Sequence, residues 1–404
     1  MHGIWLRPQW VPVCELFPYL LIALGKAHGR ESLPGGGLNG RKVLASDAMK
    51  TLGHFVRELP GLRRIPGIGI KHVVIRSLKE HPRTFVADKG YGFGPYPNGW
   101  FQIAWSHELR PGEVKPVRCL GRELVLFRGQ DGRAHVLDAY CPHLGAHLGI
   151  GGTVVGNDVR CPFHGWQFNG EGTCTLVPGA RKIPPKAQVP CWTVQESSGC
   201  IFLWHDAEQR PPWFEIPPVP EYGTSEWSRP QHIAYQIRTR WRDLLENAID
   251  RAHFHTVHGY PEPPDLALET SGPSYIMRSK VHWRRFGRDM DVLLENRGHG
   301  PGITINRGVA EARWLVLGCP VPVDENTVIL RMTVMVSADV PAPLRAFITR
   351  VFLYFIRNEV ERDLPIWENK IDRPSPVLAD CDGPIARFRS WSRQFYSASP
   401  ASAQ

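Results

Sequence analysis

Two short clusters of cysteine and histidine are the first residues whose types and spacing indicate chemistry. Cys141-Pro142-His143 is followed, after seventeen residues, by Cys161-Pro162-Phe163-His164, and each cluster lies between two predicted strands. Together they offer two thiolates and two imidazoles. This is the ligand set of a [2Fe–2S] cluster in which the cysteines bind one iron and the histidines bind the other. The same four side chains could instead hold one tetrahedral zinc ion.

The spacing within the clusters favours the two-iron interpretation. One cluster is Cys-x-His and the other is Cys-x-x-His, which resembles the asymmetry of Rieske proteins, whereas zinc fingers space their histidines more widely. Imidazole ligands raise the potential of such a cluster into a range of roughly −150 to +300 mV, which suits electron transfer to an oxygen-activating site. Respiratory Rieske proteins have an extra disulfide where this sequence has Ala146 and Phe163. Since four ligands are already present, we expect His147 to be structural.

A second group of chemistry-bearing residues lies downstream and combines one acid with three histidines: Asp250, His253, His255 and His258. Two histidines and a distant carboxylate form the facial triad that binds oxygen-activating Fe(II). On one helix, Asp250 and His253 would share a face. His253 and His258 would be about 140° apart, so both can bind one metal only if the helix ends or breaks between them. Gly259 is typical of such an end. His255 and His258 form an easier pair, so spacing alone leaves the ligand choice open.

The third ligand must come from a distant part of the chain. On the last predicted helix, which runs from about Leu344 past Trp367, Asp363 lies within about 20° of apolar positions. An acid on an apolar face needs a partner, and a metal cation would provide one. We expect Pro365 to open the helix beside Asp363. Glu359, about 40° away on the same helix, is the alternative ligand.

Composition narrows the class of protein. The 404 residues are 42% hydrophobic and 22% charged, as expected for a folded protein large enough for two domains. The net charge of +9 is scattered, so we predict no nucleic-acid partner. Nine cysteines without a dense disulfide pattern indicate a reducing compartment. The apolar stretch from Phe17 to Leu24 is too short to span a bilayer. We therefore expect a cytoplasmic protein that can touch a membrane but does not cross it.

The elements that must position these residues form two predicted domains, which gives an α+β fold class. Short strands and turns fill residues 98–207, the predicted all-β cluster domain, with a hairpin at Gln130-Asp131-Gly132. A proline-rich linker follows. Residues 221–398 form the predicted mononuclear iron domain, in which a helix-like segment around Asp243 to His255 precedes an antiparallel sheet and a final long helix. Residues 1–90 form an N-terminal extension of unknown role.

Both sites together resemble one family. Residues 247–258 match the Asn-x-x-Asp-x-x-His-x-x-x-x-His pattern of Rieske non-haem iron oxygenases, and the segment that begins at Asp363 resembles the family's C-terminal carboxylate motif. The resemblance implies a helix-grip-like catalytic domain and a homotrimer. It also implies roles for individual residues. The implied iron ligands are His253, His258 and Asp363, and the implied catalytic residues are Asn247 and Asp250. Asp250 would bridge to a Rieske histidine, here His164, of the neighbouring subunit.

Three shorter motifs indicate a branch of this family. Asn98-Gly99-Trp100-Phe101, Asp382-Gly383-Pro384 and Arg393-Gln394-Phe395-Tyr396 resemble cholesterol 7-desaturases and 3-ketosteroid 9α-hydroxylase oxygenases. The resemblance implies O2-dependent hydroxylation or desaturation of an apolar, sterol-like small molecule. The sequence has no Rossmann glycine fingerprint and no plant-type ferredoxin motif, so electrons must come from a separate NAD(P)H-dependent reductase or ferredoxin.

Two other functions remain open from the sequence. One is a ring-hydroxylating oxygenase for aromatic or alkaloid-like compounds, which would differ in the compounds that accelerate oxygen uptake. The other is a Rieske electron carrier without oxygenase activity, which would contain about two irons per chain instead of about three.

Overall fold

The computed structural model describes residues 74–76, 95–285, 288–309 and 312–397. Most of the predicted extension, residues 1–90, lies outside the described residues. Its described part is strand β1 (Val74–Arg76), which pairs in parallel with β13 (Gln231–Ile237) of the catalytic domain. At least this piece of the extension therefore belongs to the catalytic sheet.

Three small antiparallel sheets form the cluster domain, as predicted. The strand orders are β10-β5-β4-β3, β11-β12-β2 and β6-β7-β8-β9. The strands are β2 (Gly99–Trp105), β3 (Val114–Cys119), β4 (Arg122–Arg128), β5 (Ala134–Asp138), β6 (Thr153–Val155), β7 (Asp158–Arg160), β8 (Gln167–Phe168), β9 (Cys174–Leu176), β10 (Cys191–Trp192), β11 (Val194–Ser197) and β12 (Cys200–His205). The hairpin predicted at Gln130-Asp131-Gly132 joins β4 to β5. Its turn requires a residue with positive φ, and Gly132 supplies it with a φ of +82°.

One large sheet with packed helices forms the catalytic domain, which confirms the α+β class. Its strand order is β1-β13-β19-β18-β17-β16-β15-β14, antiparallel apart from the β1–β13 pair. The remaining strands are β14 (Asp265–Ser271), β15 (Ser274–Arg285), β16 (Arg288–His299), β17 (Ile303–Val309), β18 (Arg313–Asp324) and β19 (Thr327–Val336). The helices are α1 (Trp241–Asn247), α2 (Arg251–Thr256), α3 (Ala342–Trp367) and α4 (Ile385–Ser392).

Helix α3 differs from its prediction in one respect. Pro365 does not open the helix beside Asp363, because α3 continues through it to Trp367. A proline this close to the C-terminus removes one backbone hydrogen bond, to the carbonyl of residue 361, and leaves the rest of the helix intact. The inward position of Asp363 therefore comes from the helical register and not from a break.

The two domains share backbone contacts and one continuous core. The N–H groups of Leu120 and Gly121 donate to the carbonyls of Pro322 and Val323 at 2.7 and 2.9 Å. The apolar core runs without interruption from β2 and β12 of the cluster domain into the catalytic sheet. The two halves are therefore held in a fixed relation. Within the described residues, none of the helices is both long enough and apolar enough to cross a bilayer.

Candidate metal centres

Two loops between strands carry the first group of candidate ligands. The loop from β5 to β6 carries Cys141 and His143, and the loop from β7 to β8 carries Cys161 and His164. Both loops have the same backbone frame. The N–H of each cysteine donates to the carbonyl five positions on, at 2.9 and 2.8 Å, and each cysteine carbonyl accepts from the glycine four positions on, at 3.0 and 3.1 Å. Both glycines have positive φ, +76° and +73°, which residues with a Cβ rarely adopt.

The four side chains face one another in pairs, with the cysteines buried and the histidines exposed. The thiols of Cys141 and Cys161 are within hydrogen-bonding range, and the rings of His143 and His164 are 4.6 Å apart. Burial raises the pKa of the Cys141 thiol to about 11, and the neighbouring Cys161 adds to the increase. Two thiolates so close together in a buried pocket require a cation. The residues therefore fit the [2Fe–2S] cluster, with its imidazole side at the surface.

The helix-like segment that was expected around Asp243 to His255 is two helices, α1 and α2. Asp250 lies between them in an extended conformation, with φ −75° and ψ 107°. Its carboxylate accepts hydrogen bonds from the backbone N–H groups of Ala252 and His253, at 3.1 and 3.4 Å. Aspartate is a favoured N-cap, so it stabilises a new helix start. Asp250 is therefore the cap of α2 and not a member of one helix with His253, but the two side chains still lie side by side, with Asp250 Oδ2 4.0 Å from His253 Nδ1.

Helix α2 ends where two histidine ligands would require it to end. Its last residue is Thr256, and the chain turns before Gly259, whose φ is +72°. Because the helix ends between His253 and His258, both rings come to one side, with centroids 5.0 Å apart. His255 is directed elsewhere, since its Nδ1 lies 2.6 Å from the carbonyl oxygen of Tyr260.

Helix α3 brings a carboxylate to these two histidines. Donor atoms of His253, His258 and Asp363 all lie within 4.8 Å of one another, and the Asp363 side chain is buried. His258 Nε2 lies 3.4 Å from Asp363 Oδ1. Two imidazoles and one carboxylate at this separation fit the facial triad of a mononuclear iron.

Contacts outside the triad fix the orientation of both imidazoles. His253 Nδ1 lies 2.6 Å from the backbone carbonyl oxygen of Asp250, and His258 Nδ1 lies 2.9 Å from the Glu359 carboxylate. The Asp250 oxygen accepts a hydrogen bond from His253 Nδ1, whereas the Glu359 contact of His258 Nδ1 is an ion-pair contact. In both rings an oxygen therefore lies at Nδ1, which leaves Nε2 as the nitrogen that would bind a metal. Glu359, the alternative third ligand, therefore lies at the ring nitrogen of His258 that faces away from Asp363.

The electrostatics of the triad suit a bound cation. Burial lowers the pKa of His253, so its imidazole is in the neutral form that binds metals. Burial also acts to lower the pKa of His258, but Asp363 and Glu359 together raise it to about 9. Asn247 Nδ2 lies 3.1 Å from His253 Nε2 and 3.0 Å from Asp363 Oδ2, so this amide lies directly beside two of the candidate ligand atoms.

The motif Asp382-Gly383-Pro384 packs against the segment that connects α1 and α2. The N–H of Arg251 donates to the carbonyl of Asp382 at 3.4 Å. A Cβ on Gly383 would lie 2.9 Å from the carbonyl oxygen of Ile249, so only glycine lets the two backbones approach this closely. This motif therefore supports the backbone that carries the candidate iron ligands.

The triad lines a cavity of about 340 Å³ between the helices and the inner face of the sheet. This volume is within the range of small-molecule sites. Most of the lining side chains are apolar, and they include Leu244, Met277, Val281, Val316, Leu330, Phe352 and Ile356. A few polar groups, among them Asn296 and Thr304, lie on the strands.

Comparison with known proteins agrees with both sites. The Rieske [2Fe-2S] domain family matches residues 99–193, and the 3-ketosteroid 9alpha-hydroxylase C-terminal domain family matches residues 203–396. Cholesterol 7-desaturase nvd 1 of Ciona intestinalis is 31% identical over 75% of this chain and 69% of its own length. The oxygenase component of 3-ketosteroid-9-alpha-monooxygenase from Mycobacterium tuberculosis is 32% identical over 74% of this chain and 82% of its own length.

Solved structures share the fold at lower identity. NdmA of Pseudomonas putida CBB5 superposes with a TM-score of 0.62 at 22% identity, over 73% of this chain and 89% of its own. Dicamba monooxygenase superposes with a TM-score of 0.64 at 18% identity, over 77% of this chain and 100% of its own. These similarities concern the fold alone.

Fold, sites and sequence similarity together define an oxygen-activating iron enzyme of the Rieske type. The chain belongs to the Rieske non-haem iron oxygenases, in the branch of the cholesterol 7-desaturases and 3-ketosteroid 9α-monooxygenase oxygenase components. It is an oxygenase component with a [2Fe–2S] cluster and a mononuclear iron, and it uses O2 and electrons from a separate reductase or ferredoxin. The electron-carrier alternative is therefore rejected.

Sequence reasoning missed two features of the site. Glu359 was considered as a ligand and not as the partner of His258 Nδ1, because helical spacing does not show which side of a ring a carboxylate meets. The pair Asn296 and Asn306 in the cavity wall was also missed. A signal was present, since Asn296 follows Val292 and Leu294 at alternating positions of a strand that faces the core.

Proposed function

We propose that this oxygenase hydroxylates or desaturates an apolar sterol or steroid in the cavity beside the triad. The observation that carries the proposal is that His253, His258 and Asp363 line the same largely apolar cavity of about 340 Å³. A fused-ring hydrocarbon skeleton is stabilised by burial against such walls. The names of the relatives support the same substrate class, since they refer to cholesterol and to 3-ketosteroids.

In this proposal, Cys141, His143, Cys161 and His164 hold the cluster. His253, His258 and Asp363 would hold the iron, which would supply the activation of O2. The chain's own contribution is preorganisation. The Asp250 carbonyl and the Glu359 carboxylate orient the two imidazoles, and Asn247 lies beside the ligand atoms of His253 and Asp363. The apolar walls exclude water from the reacting carbon.

Asp250 is proposed to couple the two centres across a subunit boundary. One carboxylate oxygen caps α2, while the other, Oδ2, lies 4.0 Å from His253 Nδ1. The side chain is about one-third exposed, so it remains accessible to a histidine of a neighbouring subunit. The alternative role for Asp250 is pairing with a surface cation such as Arg251 or Arg240. Of these two, Arg240 pairs with Asp372 at 3.0 Å.

A homotrimer is part of the proposal, because the surface around the cluster is apolar. Tyr140, Leu144 and Phe163 are 54%, 65% and 61% exposed, and all three lie in the ligand loops themselves. Exposed apolar groups that cluster beside a redox centre favour a protein contact there. Light scattering of the wild type should give a mass three times that of one chain. The variant Leu144→Asp should have a lower mass, closer to that of the monomer. A wild-type monomer would contradict the trimer.

A cytoplasmic location also remains a proposal. The cysteines among the described residues are free thiols, as expected in a reducing compartment. Cell fractionation should recover the protein in the cytosolic fraction. Recovery in the membrane fraction alone, with no release of the protein by high salt, would contradict this location.

Product analysis tests the enzymatic proposal directly. Purified oxygenase, a reconstituting reductase and NADH are incubated under air with a panel of hydroxysterols and ketosteroids, and products are identified by mass spectrometry. We expect a mass increase of one oxygen atom for hydroxylation or a loss of two hydrogen atoms for desaturation. Asp363→Ala, which lacks the proposed iron ligand, is the matched control and should give no product. Turnover of the wild type with none of the steroids would contradict the proposal.

The ring-hydroxylating alternative is tested in the same assay. Aromatic and alkaloid-like compounds are added in place of steroids, and NADH-dependent oxygen uptake is measured. We expect steroids to accelerate uptake and the aromatic compounds to leave it at its basal rate. Acceleration by the aromatic compounds alone would favour the alternative.

A further inference from the structure

Two buried amides interrupt an apolar row in the cavity wall. The strand register places Met277, Asn296, Asn306 and Val316 side by side across β15, β16, β17 and β18. All four side chains line the cavity, and Asn296 is only 5% exposed. A buried amide costs free energy unless its hydrogen bonds are made. The partners of these two amides therefore indicate what else must bind there.

The side-chain amides of Asn296 and Asn306 form a chain of hydrogen bonds in which each amide donates to the next acceptor. Asn306 Nδ2 donates to the backbone carbonyl oxygen of Val316 at 3.3 Å, which leaves Asn306 Oδ1 facing Asn296. Asn296 Nδ2 donates to that oxygen. Flipping either amide would set two donors or two acceptors against each other. The orientation of Asn296 is therefore fixed, and its Oδ1 is buried with no hydrogen-bond partner among the described residues.

Two other polar side chains that line the cavity on the strands have partners. Thr304 Oγ1 donates to the carbonyl oxygen of Gly318 at 2.9 Å, and Arg307 pairs with Glu221 at 2.6 Å. Trp367 Nε1 is a buried donor without a partner among the described residues, but it lies one helical turn after Asp363. A substrate group bound to Trp367 would lie beside the triad, where the reacting carbon must be. Asn296 is therefore the better candidate for anchoring a polar group of the substrate.

We propose that Asn296 Oδ1 accepts a hydrogen bond from a substrate hydroxyl, so that the cavity selects a hydroxysterol over the matching ketone. This inference rests on the proposed steroid function. The names of the relatives refer to both kinds of compound, since cholesterol is an alcohol and a 3-ketosteroid is a ketone. A hydroxyl can donate to Oδ1, whereas a ketone oxygen would place two acceptors face to face. A site built for a hydroxyl rejects the analogue that lacks it.

Equilibrium binding with a matched pair of ligands tests the inference. The ligands are 5α-cholestan-3β-ol and 5α-cholestan-3-one, which differ only at C3. Dissociation constants come from quenching of tryptophan fluorescence, because Trp314 and Trp367 line the cavity. The wild type should bind the alcohol about tenfold more tightly than the ketone, as expected for one hydrogen bond. Asn296→Leu should lose affinity for the alcohol alone, so that the ratio falls to about one.

Two further variants make the result specific. Thr304→Val removes a hydroxyl that bonds to the sheet, and it should keep the alcohol-to-ketone ratio of the wild type. Asn306→Leu keeps Asn296 but removes the group that fixes its orientation, so the amide can present Nδ2 to a ketone and the ratio should fall. Thermal unfolding of each variant checks that it is folded, and Asn306→Leu tests the inference even if Asn296→Leu does not fold.

The outcomes separate this inference from the proposed function. A wild type that binds both ligands equally or prefers the ketone overturns the role of Asn296, and so does an equal loss of both affinities in Asn296→Leu. In these cases the steroid function stands, because both ligands bind. If neither steroid binds the wild type or accelerates its oxygen uptake, the steroid function itself fails.

Discussion

The two metal centres are built in different ways, although both use closely spaced histidines. The proposed cluster ligands lie on two loops whose shape depends on hydrogen bonds within each loop, from Cys141 to residue 146 and from Cys161 to residue 166. The triad takes two histidines from the end of α2 and its acid, Asp363, from α3, more than a hundred residues later. One centre is therefore local in sequence, and the other exists only when two distant helices pack together.

This difference predicts how each centre responds to change. A local centre depends on the backbone conformation of its loops. The integrity of the cluster should therefore be more sensitive to a single loop glycine than to the side chains packed around the loop. A long-range centre depends on the side chains that meet, so a single substitution on α3 should empty it and leave the cluster intact. The predictions below test this contrast, from the largest expected effect to the smallest.

Asp363→Ala should abolish turnover and reduce the iron content from about three to about two per chain. The rhombic EPR signal of the reduced cluster should remain, because its ligands lie in another domain. Glu361→Ala is the matched control on the same helix, since Glu361 pairs with Arg357 at 2.6 Å, and it should keep its iron. Loss of iron in Glu359→Ala but not in Asp363→Ala would show that the proposed ligand is wrong.

Asp250→Asn should slow the oxidation of the reduced cluster in a single turnover by roughly two orders of magnitude, because the charged link between the centres is lost. Both metals should stay bound. Asparagine still caps a helix well, so the free energy of unfolding should not change, whereas Asp250→Ala should also lose about 1 kcal/mol of stability. Stopped-flow absorbance of the cluster measures the rate, and near-normal oxidation in the fully metallated Asn variant would rule out the coupling role.

Glu359→Gln should weaken iron binding about tenfold to a hundredfold, because the carboxylate that orients His258 is replaced by a neutral amide. Competition with a chelator measures the dissociation constant, and the cluster absorbance serves as the internal reference. Glu361→Gln is the control and should bind iron as the wild type does. Complete loss of iron from Glu359→Gln would instead mean that Glu359 is a ligand.

Gly145→Ala should cost about 1–2 kcal/mol of stability, because its φ of +76° is unfavourable for a residue with a Cβ. The control is Gly132→Ala in the β4–β5 hairpin, where φ is +82° and an added Cβ likewise meets nothing within 4 Å. Both variants should lose similar stability in denaturant unfolding, but only Gly145→Ala should change the EPR signal of the cluster. An unchanged signal in Gly145→Ala would show that the loop frame tolerates the side chain.

The sequence by itself determined the parts of this protein that depend on short spacing. The asymmetric Cys/His clusters identified the cluster loops, and Gln130-Asp131-Gly132 identified the hairpin between β4 and β5. The helix end near Gly259 followed from the angle between His253 and His258. In each case a few neighbouring residues carry the physical constraint, so the pattern is visible without the fold.

Tertiary structure alone decided what depends on the meeting of distant elements. Asp363 and Glu359 differ by only about 40° on one helix, so the packing of α3 against α2 places one beside the donor atoms and the other behind His258. The single orientation of Asn296 follows from a strand register that joins it to Asn306 and Val316. Short spacing cannot encode these relations, because their partners are far apart in the chain.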